Sequence, residues 1–399
     1  MSATSDRPRR WRRPNFWLGK IIPSLLVWFG YSGYRLVLLE VYPLIRSYNH
    51  LLSLAYISWV NCFLALVTIS YSLVYFHSQS RSKALAVPEE VQEKLVIERD
   101  VQMQKVFACD ERGEPLTCSQ DSCQSSYLSI RTRHCRDCGI CQPGFDHHCS
   151  FMDNCISTSS TFKPFLQFIF YAILLLSVAL VPLAPLQLRA FKEVIAITWG
   201  TKEMSEDWWR RWWSWAGGPV WRYAGGLVLG YIRYPALAQD RPFLVPGHRV
   251  QTFVKDGITY AYDESNWPSL ASPTLSTLSI VVFATLIDLI GLGMLLATYL
   301  NVRKGQSSVQ VERARRYHRQ QLDSITSPSN SPEYDARLRL WIPLPETKEG
   351  GAIVLVEPDA PLFDFGTREN WKLLMGKKWW EWFGKLLRFA QTCLWISII

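Results

Sequence analysis

Cysteine and histidine are concentrated in the segment HCRDCGICQPGFDHHCSFMDNC, which runs from residue 134 to residue 155. With two upstream cysteines, the region holds ten such groups: Cys118, Cys123, His134, Cys135, Cys138, Cys141, His147, His148, Cys149 and Cys155. Thiolate and imidazole groups bind zinc, and a structural zinc ion takes four of them in a tetrahedron. The pattern therefore predicts zinc binding. Ten groups suffice for two closed sites and leave two groups over.

The short spacing HC-x2-C-x2-C cannot easily place all four of its groups on one ion. His134 and Cys135 are adjacent and point in different directions, so we expect them to serve different ions. Two interleaved sites would hold together a loop that has few apolar residues to bury, because structural metal binding supplies folding free energy.

The two groups that escape the metals can form a cysteine nucleophile with a histidine base. Spacing alone does not decide which two these are, but His147 and Cys149 lie two residues apart, directly after Asp146. A carboxylate that accepts a hydrogen bond from an imidazole fixes its tautomer, and the imidazolium in turn favours a thiolate. The alternative is that both groups are spare ligands or ordinary surface residues.

Long apolar runs alternate with charged stretches along the chain, which predicts a membrane protein. Four runs reach the roughly 20 residues that a helix needs to cross a bilayer. They lie near Leu18–Leu39, Leu51–Phe76, Phe165–Leu188 and Leu275–Asn301. Arginines precede the first run and basic residues follow the fourth, so the positive-inside rule predicts that both termini are cytosolic. The net charge of +9 then indicates membrane orientation and contact with anionic lipid, not nucleic-acid binding.

The predicted fold class is an α-helical polytopic membrane protein with four transmembrane helices and a cytosolic, zinc-stabilised cysteine-rich domain between helices 2 and 3. The predicted segments are a basic cytosolic N-terminus (1–17), helices 1 and 2 (18–76), the cysteine-rich domain (77–163), helix 3 (164–188), a long Trp-rich lumenal loop (189–274), helix 4 (275–301) and a cytosolic tail with an amphipathic end (302–399). Because the cytosol is reducing, metal binding or catalysis is favoured over disulfides.

Two features outside the cysteine-rich domain carry expectations of their own. The lumenal loop contains six tryptophans interleaved with arginines: Trp208, Trp209, Trp212, Trp213, Trp215 and Trp221. We expect a flat interfacial helix there, since such residues prefer the membrane interface, and a partner-binding surface is the alternative. Asp288 lies in the middle of the fourth run, where a hydrogen-bonded helix-packing role is favoured over lining of a cavity.

The motif DHHC at Asp146–Cys149, preceded by HCRDCGIC and followed by Cys155, resembles the DHHC-type protein S-acyltransferases, also called palmitoyltransferases. Members of that family are four-span membrane proteins with a cytosolic cysteine-rich domain between spans two and three, as the apolar runs predict here. The motif match runs from residue 118 to residue 155, and the whole pattern is most similar to divergent fungal members.

The resemblance implies the roles that spacing leaves open. One zinc ion would be held by Cys118, Cys123, His134 and Cys141, and a second by Cys135, Cys138, His148 and Cys155. Cys149 would be the acylated nucleophile, His147 its base and Asp146 the group that orients the base. The implied reaction moves a long-chain acyl group, palmitoyl above all, from acyl-CoA through an acyl-enzyme to cysteines of protein substrates.

The resemblance also implies the surroundings of this reaction. The cofactors would be two structural zinc ions, with long-chain acyl-CoA as co-substrate, and the partners would be cytosolic-face proteins and the lipid bilayer. The compartment would be the endomembrane system. Basic groups would meet the CoA phosphates, with Arg131, Arg133 and Lys163 as candidates. The alternative function is a catalytically weak, zinc-stapled membrane scaffold or adaptor.

The sequence departs from the family pattern at three places that bear on the site. The first cysteine pair, Cys118 and Cys123, is C-x4-C where the family usually has C-x2-C, which makes Cys109 a competing ligand. Ser150-Phe151 replaces the usual Pro-Trp after the motif. After the fourth run, the sequence SSVQ at Ser307–Gln310 only loosely resembles the usual Thr-Thr-x-Glu. These departures bear on substrate choice and tail packing more than on the reaction.

Overall fold

The computed structural model describes residues 14–77, 106–120, 123, 128–237, 250–255, 258–263, 273–326, 337–343 and 351–375. Within these ranges the α-helices are α1 (Pro14–Leu36), α2 (Tyr42–Tyr48), α3 (His50–Tyr75), α4 (Phe162–Leu180), α5 (Leu183–Gly200), α6 (Lys202–Met204), α7 (Gly218–Leu237), α8 (Leu275–Arg303), α9 (Ser308–Thr326) and α10 (Thr367–Met375). The arginines of residues 7–13 and the amphipathic end at 377–399 lie outside the described residues.

The strands are short and pair antiparallel. They are β1 (Phe107–Ala108), β2 (Arg133–Cys135), β3 (Ile140–Gln142), β4 (Phe145–Cys149), β5 (Asn154–Ser157), β6 (Val250–Lys255), β7 (Ile258–Asp263), β8 (Leu338–Pro343) and β9 (Gly351–Val356). Hairpins are formed by β2 with β3, β4 with β5, and β6 with β7, while β1, β8 and β9 form a three-stranded sheet in that order. This sheet joins the start of the cysteine-rich region to the C-terminal tail.

Among the described residues, α3, α4 and α8 are long and apolar enough to cross a membrane. Helix α1 covers most of the first predicted run but is not among these three candidates. The fourth span therefore remains a prediction. The third run was predicted to extend to Leu188, but α4 ends at Leu180 and α5 begins at Leu183. Pro182 lies at the break. It interrupts the helix because proline has no N–H with which to continue the helical hydrogen bonds.

The chain divides into two compact units. The first, which we call the cysteine-rich unit, comprises Met1–Pro23, Leu66–Ile169 and Gly293–Ile399. The second, the helical unit, comprises Ser24–Ala65 and Phe170–Leu292. Each unit has a core of its own.

The core of the helical unit is made by buried side chains of α1 to α3, α5 and α7, among them Val41, Val60, Val194 and Tyr231. Asp288 of α8 belongs to the same unit, and the Ser177 hydroxyl of α4 donates a hydrogen bond to its Oδ2 at 3.4 Å. A hydrogen bond to a neighbouring helix is a normal way to accommodate a carboxyl group inside an apolar segment. Asp288 therefore has the packing contact that the sequence favours.

The cysteine-rich unit has less apolar material. A small cluster of Ala108, Leu338 and Leu340 lies under the three-stranded sheet, and much of the rest of its buried surface is cysteine. The unit also buries Met152, Ile156, Phe165 and Leu166, and a metal centre would be a further source of stability. The arrangement of the cysteines shows where such centres can form.

Candidate functional site

The first metal-type cluster consists of Cys118, Cys123, His134 and Cys141, whose ligand atoms all lie within 4.8 Å of one another. Strand pairing places His134 opposite Cys141, and the three thiols lie 3.2 to 3.9 Å from His134 Nδ1. A tetrahedral zinc ion with Zn–S of about 2.3 Å and Zn–N of about 2.1 Å requires edges of roughly 3.4–3.8 Å. The donor set and its spacing therefore fit a zinc ion.

The second cluster consists of Cys135, Cys138, His148 and Cys155, again within 4.8 Å of one another. Its thiols lie 3.4 to 3.9 Å from His148 Nδ1, and His148 is paired with Cys155 across β4 and β5. The hydrogen bonds from His148 to Cys135 and Cys138 raise the pKa of His148 to about 10. This sulfur-rich pocket stabilises a cation, and its donors fit a second ion.

His134 and Cys135 contribute to different clusters, as the tight spacing predicts. Both lie on β2, where successive side chains point to opposite faces of the strand. The two clusters therefore share one hairpin, and each would brace the other. Within the described residues, neither cluster contains Cys109, whose N–H instead donates to the carbonyl of Arg339 in the three-stranded sheet.

His147 and Cys149 lie on β4 outside both clusters. The alternation of a strand places these two residues on the same face and His148 on the opposite face, toward Cys155. The Cys149 side chain is buried and interacts with the imidazole of His147. The strand thus serves a metal cluster on one face and keeps a thiol–imidazole pair on the other.

Asp146 completes this arrangement through a β-bulge. The register of β4 and β5 shifts between Phe145 and His147, so Asp146 is the extra residue on β4. A bulge redirects a side chain, and here the Asp146 carboxylate turns toward its neighbour. Asp146 Oδ2 lies 2.8 Å from His147 Nδ1. This contact fixes His147 with Nε2 free for chemistry.

Burial by itself lowers the pKa of His147, but the contacts with Asp146 and Cys149 outweigh it and raise that pKa to about 9. Burial likewise raises the pKa of Asp146, yet the hydrogen bonds from His147 and from the Ser308 N–H leave it below the usual value. The site therefore favours a carboxylate beside an imidazolium.

The second oxygen of Asp146 ties the site to helix α9. Asp146 Oδ1 accepts a hydrogen bond of 2.7 Å from the N–H of Ser308, the first residue of that helix. Ser307 is the N-cap: its N–H donates to Gln310 Oε1, and its hydroxyl accepts from the N–H of Gln310. This is a capping box, so SSVQ is the helix start that positions an N–H against Asp146.

The turn before α9 is held by the C-terminal tail. Gly305 has a positive φ of 62°, and an added Cβ would collide with the carbonyl of Phe363. The buried amide of Asn370 donates to the carbonyl of Arg303 and to Asp364. Arg131 donates to the Gly305 carbonyl, and its guanidinium lies 3.8 Å from the centre of the Phe363 ring. The tail therefore holds the turn before α9, and the first N–H of α9 holds the Asp146 carboxylate.

The three basic residues suggested for CoA phosphates all donate to backbone carbonyls in the structure. Arg131 donates to Gly305, Arg133 to Thr132, and Lys163 Nζ to Met375 at 3.0 Å. Arg131 and Lys163 thus bind the C-terminal tail to the cysteine-rich region. These contacts explain the positive charges of Arg131 and Lys163 without a phosphate ligand.

The turn that follows Cys149 is attached to the end of helix α3. The Tyr71 hydroxyl donates to the carbonyl of Phe151 at 3.2 Å. In the opposite direction, the Asn154 amide donates to the carbonyls of Val74 and His77 at 2.6 and 3.0 Å. Since Asn154 is the strand partner of Cys149, these bonds hold the thiol beside the end of an apolar helix.

Aromatic rings surround the thiol–imidazole pair. The Phe165 ring of α4 lies 5.4 Å from the His147 ring in an edge-to-face arrangement. Tyr71 and Phe168 lie 5.7 Å apart, and Phe151 is 55% exposed. The imidazole beside Cys149 therefore packs against an apolar ring of α4.

Two Cys/His clusters folded around a Cys–His–Asp arrangement, in a chain with membrane-spanning candidates, define a membrane protein with a cysteine-rich, metal-binding domain. Residues 116–205 match the family model described as DHHC palmitoyltransferase. The resemblance seen in the sequence is therefore confirmed for this part of the chain.

The chain is similar to several curated proteins over parts of their length. It is 35% identical over 100 residues to "Palmitoyltransferase PFA5" of Kluyveromyces lactis, covering 25% of this chain and 27% of that protein. It is 28% identical over 181 residues to "Probable protein S-acyltransferase 13" of Arabidopsis thaliana, covering 44% and 58%. It is 27% identical over 169 residues to "Palmitoyltransferase ZDHHC15" of Xenopus laevis, covering 40% of this chain and 48% of that protein. The match thus spans less than two thirds of each relative.

Sequence reasoning did not recognise how some residues build the site, and it noted SSVQ at Ser307–Gln310 only as a departure from the family pattern. Ser307 and Gln310 had a usable signal, since Ser-x-x-Gln before a helical pattern is a capping box. Asn154 and Gly305 had no signal in the local sequence. The partners of Asn154 are 77 to 80 residues away, and the neighbour of Gly305 lies in the C-terminal tail. Only the folded chain brings those groups together.

The first cluster generates a prediction about metal content. Changing Cys123→Ala removes one of four donors, so we expect loss of about one zinc ion per chain and reduced stability of the cysteine-rich domain. Cys109→Ala is the matched control, since Cys109 is also a buried thiol but lies outside the cluster. Metal analysis of the purified proteins measures the difference. Equal zinc loss from both variants would show that the first site is drawn wrongly.

The capping box generates a second prediction. Gln310→Ala removes the side chain that accepts the Ser307 N–H, which costs about 0.5–2 kcal/mol by analogy with other N-cap losses. Gln310→Glu keeps an acceptor there and should be close to wild type or more stable, since a negative charge suits a helix N-terminus. Thermal unfolding in detergent compares the two. A destabilised Glu variant beside a neutral Ala variant would contradict the capping box.

Proposed function

We propose that this protein is a protein S-acyltransferase that moves a long-chain acyl group from acyl-CoA to cysteine thiols of protein substrates. The observation that carries the proposal is the position of Cys149, which lies outside both metal-type clusters and beside a His147–Asp146 pair. The DHHC domain and the relatives named as palmitoyltransferases support the same reaction class.

The proposed chemistry has two acyl-transfer steps. The Cys149 thiolate attacks the thioester carbonyl of acyl-CoA; a carbon–sulfur bond to Cys149 forms, and the bond to CoA breaks with release of the CoA thiol. The thiol of a substrate cysteine then attacks the Cys149 thioester, so the acyl chain moves to the substrate and Cys149 is regenerated. In the first step the His147 imidazolium gives its proton to the departing CoA sulfur. In the second step the neutral imidazole accepts the proton of the substrate thiol, which restores the pair of imidazolium and Cys149 thiolate.

Asp146 positions His147 in both steps and stabilises the imidazolium that forms. Its two hydrogen bonds, one to His147 and one from Ser308, hold it in a single orientation. When bound, the two zinc ions would stabilise the domain without taking part in the reaction, because four protein ligands leave no open coordination position. We assign their ligands as Cys118, Cys123, His134 and Cys141 for one ion, and Cys135, Cys138, His148 and Cys155 for the other.

The surroundings of Cys149 suit an acyl donor. Tyr71, Phe165 and Phe168 form an apolar wall on the helices that adjoin the thiol. Burial of a methylene group is worth about 0.8 kcal/mol, so a long chain gains more from such a wall than a short one. The attachment of the Cys149 turn to the end of α3 keeps the thiol where a membrane-dissolved chain can reach it.

We further propose the topology that this reaction requires. Helix α1 together with α3, α4 and α8 would form four spans, and the cysteine-rich region would face the cytosol with both termini. The expected partners are acyl-CoA, the bilayer and cytosolic-face proteins that expose a cysteine. The compartment would belong to the endomembrane system.

The nucleophile is tested by Cys149→Ser in the purified full chain. We expect label from an acyl-CoA analogue, cleavable by hydroxylamine, to fall to background while zinc content stays near that of the wild type. His147→Ala should lower the labelling rate by about 10²–10⁴-fold, the usual contribution of a general base.

Cys62→Ser is the matched control, since Cys62 is an exposed thiol of α3 far along the chain from the site. It should label at the wild-type rate. Label that persists in Cys149→Ser would exclude Cys149 as the nucleophile. Absence of label from the wild type as well, with zinc retained, would favour the scaffold function.

A further inference from the structure

The segment between α4 and α8 in the helical unit contains a folded module that the DHHC reaction does not use. After α5 and α6, the chain forms a π-helical turn at Ser205–Trp209 and a 3₁₀ turn at Trp212–Trp215, then enters α7. The prediction of one flat helix is therefore wrong, because the tryptophans are distributed over several turns that pack on each other. Their positions decide which rings are buried and which are exposed.

Trp208 is the internal ring of the module. It is 5% exposed, and its Nε1 donates to the carbonyl of Arg222. Side chains at Gly225 and Gly226 of α7 would collide with Trp208 and Trp209, so these glycines permit the close approach of the helix. The module is thus held together from the inside, and the remaining tryptophans are not needed as its core.

A second set of contacts, made by Arg222, holds the Trp215 ring and the turn that carries it. The Arg222 guanidinium lies 4.3 Å from the centre of the Trp215 ring and 5.2 Å from that of Trp209. It also donates to the Trp209 carbonyl and to the Ser214 hydroxyl. Cation–π contacts of this kind fix ring orientation as well as contributing stability. Arg222 of α7 therefore connects the turn that carries Trp215 to the helix behind it.

The exposed aromatic residues of the module, which we call the tryptophan plate, are Trp199, Trp212, Trp213, Trp215, Trp221 and Tyr223. Ring contacts of 5.0 to 6.1 Å connect several of its members through Trp208 and Trp209. Trp212 is 82% exposed, and Trp199, Trp215 and Trp221 are about half exposed. So many exposed tryptophans on one small module indicate an interaction surface.

We propose that the tryptophan plate is an interfacial anchor that binds the headgroup region of the phospholipid bilayer in which the protein is embedded. Indole suits this region because it has a large apolar ring and a polar N–H, and tryptophan is enriched there. The exposed Arg210 and Arg211 lie between the rings in sequence and carry the charge that complements lipid phosphate.

Chain continuity argues for the bilayer over another partner. The module begins at Leu183, three residues after the membrane-spanning candidate α4 ends at Leu180, and the chain returns to a second candidate at Leu275. Both ends of the segment are thus tethered to apolar helices. A rigid plate so close to the end of a span meets the lipid interface without any further association.

The proposal is tested with the full chain reconstituted in phosphatidylcholine–phosphatidylserine nanodiscs. A fluorescent, tryptophan-sized amino acid is incorporated at Trp212 or Trp215, one position per protein. Lipids that carry a nitroxide at the headgroup or deep in the acyl chain serve as quenchers. We expect quenching by the headgroup nitroxide to exceed that by the deep nitroxide several-fold, with little quenching by aqueous iodide.

The same probe at Glu111, an acidic turn residue of the cysteine-rich unit whose side chain is 81% exposed, provides the water-exposed control. It should respond to iodide and hardly to the lipid quenchers. Iodide quenching at 212 and 215 equal to that at 111 would overturn the proposal, because the plate would then face water. Protection from both iodide and lipid quenchers would also overturn it, since a protein or glycan would cover the plate instead.

Discussion

Successive side chains of a β-strand point to opposite faces, and this alternation along β4 is the constraint on which the site depends. His148 faces the cluster with Cys155, while His147 and Cys149 lie on the other face. His148 can therefore bind a metal ion while His147 and Cys149 remain available for other chemistry. A one-residue slip in the pairing of β4 with β5 would exchange the faces. The second metal-type cluster opposes such a slip, since two of its donors, His148 and Cys155, are paired across β4 and β5.

The bulge at Asp146 gives the strand a further property. The carboxylate is buried, which is costly unless charged hydrogen bonds compensate. Hydrogen bonds to charged groups contribute about 1.5–3 kcal/mol each, and Asp146 has one on each oxygen, to His147 and from Ser308. The net lowering of its pKa shows that these bonds outweigh burial. Because one of them comes from α9, the helix that follows the last apolar span helps set the state of the imidazole.

The C-terminal tail acts on the same carboxylate from a greater distance. Asn370 holds the end of α8, Gly305 allows the sharp turn, and the capping box then starts α9 at the right place. Each contact is ordinary by itself. Together they explain why a tail more than two hundred residues from Cys149 in sequence belongs to its site. The Trp-rich module lies apart from this chain of contacts, and its rigid outer rings call for a separate explanation.

The sequence by itself determined the chemistry available: eight of ten Cys and His groups are enough for two zinc-type sites, and the apolar runs predict a membrane protein. These conclusions need only ligand counts and lengths. Spacing left open which two groups escape the clusters; the resemblance implied His147 and Cys149, and the fold places both outside them. Only the tertiary structure decided that Cys109 takes no part in the clusters and that SSVQ is a capping box over Asp146. It also showed that the tryptophans build a folded module. The physical reason is that strand faces, bulges and caps depend on partners from distant parts of the chain, and spacing within one segment does not specify them.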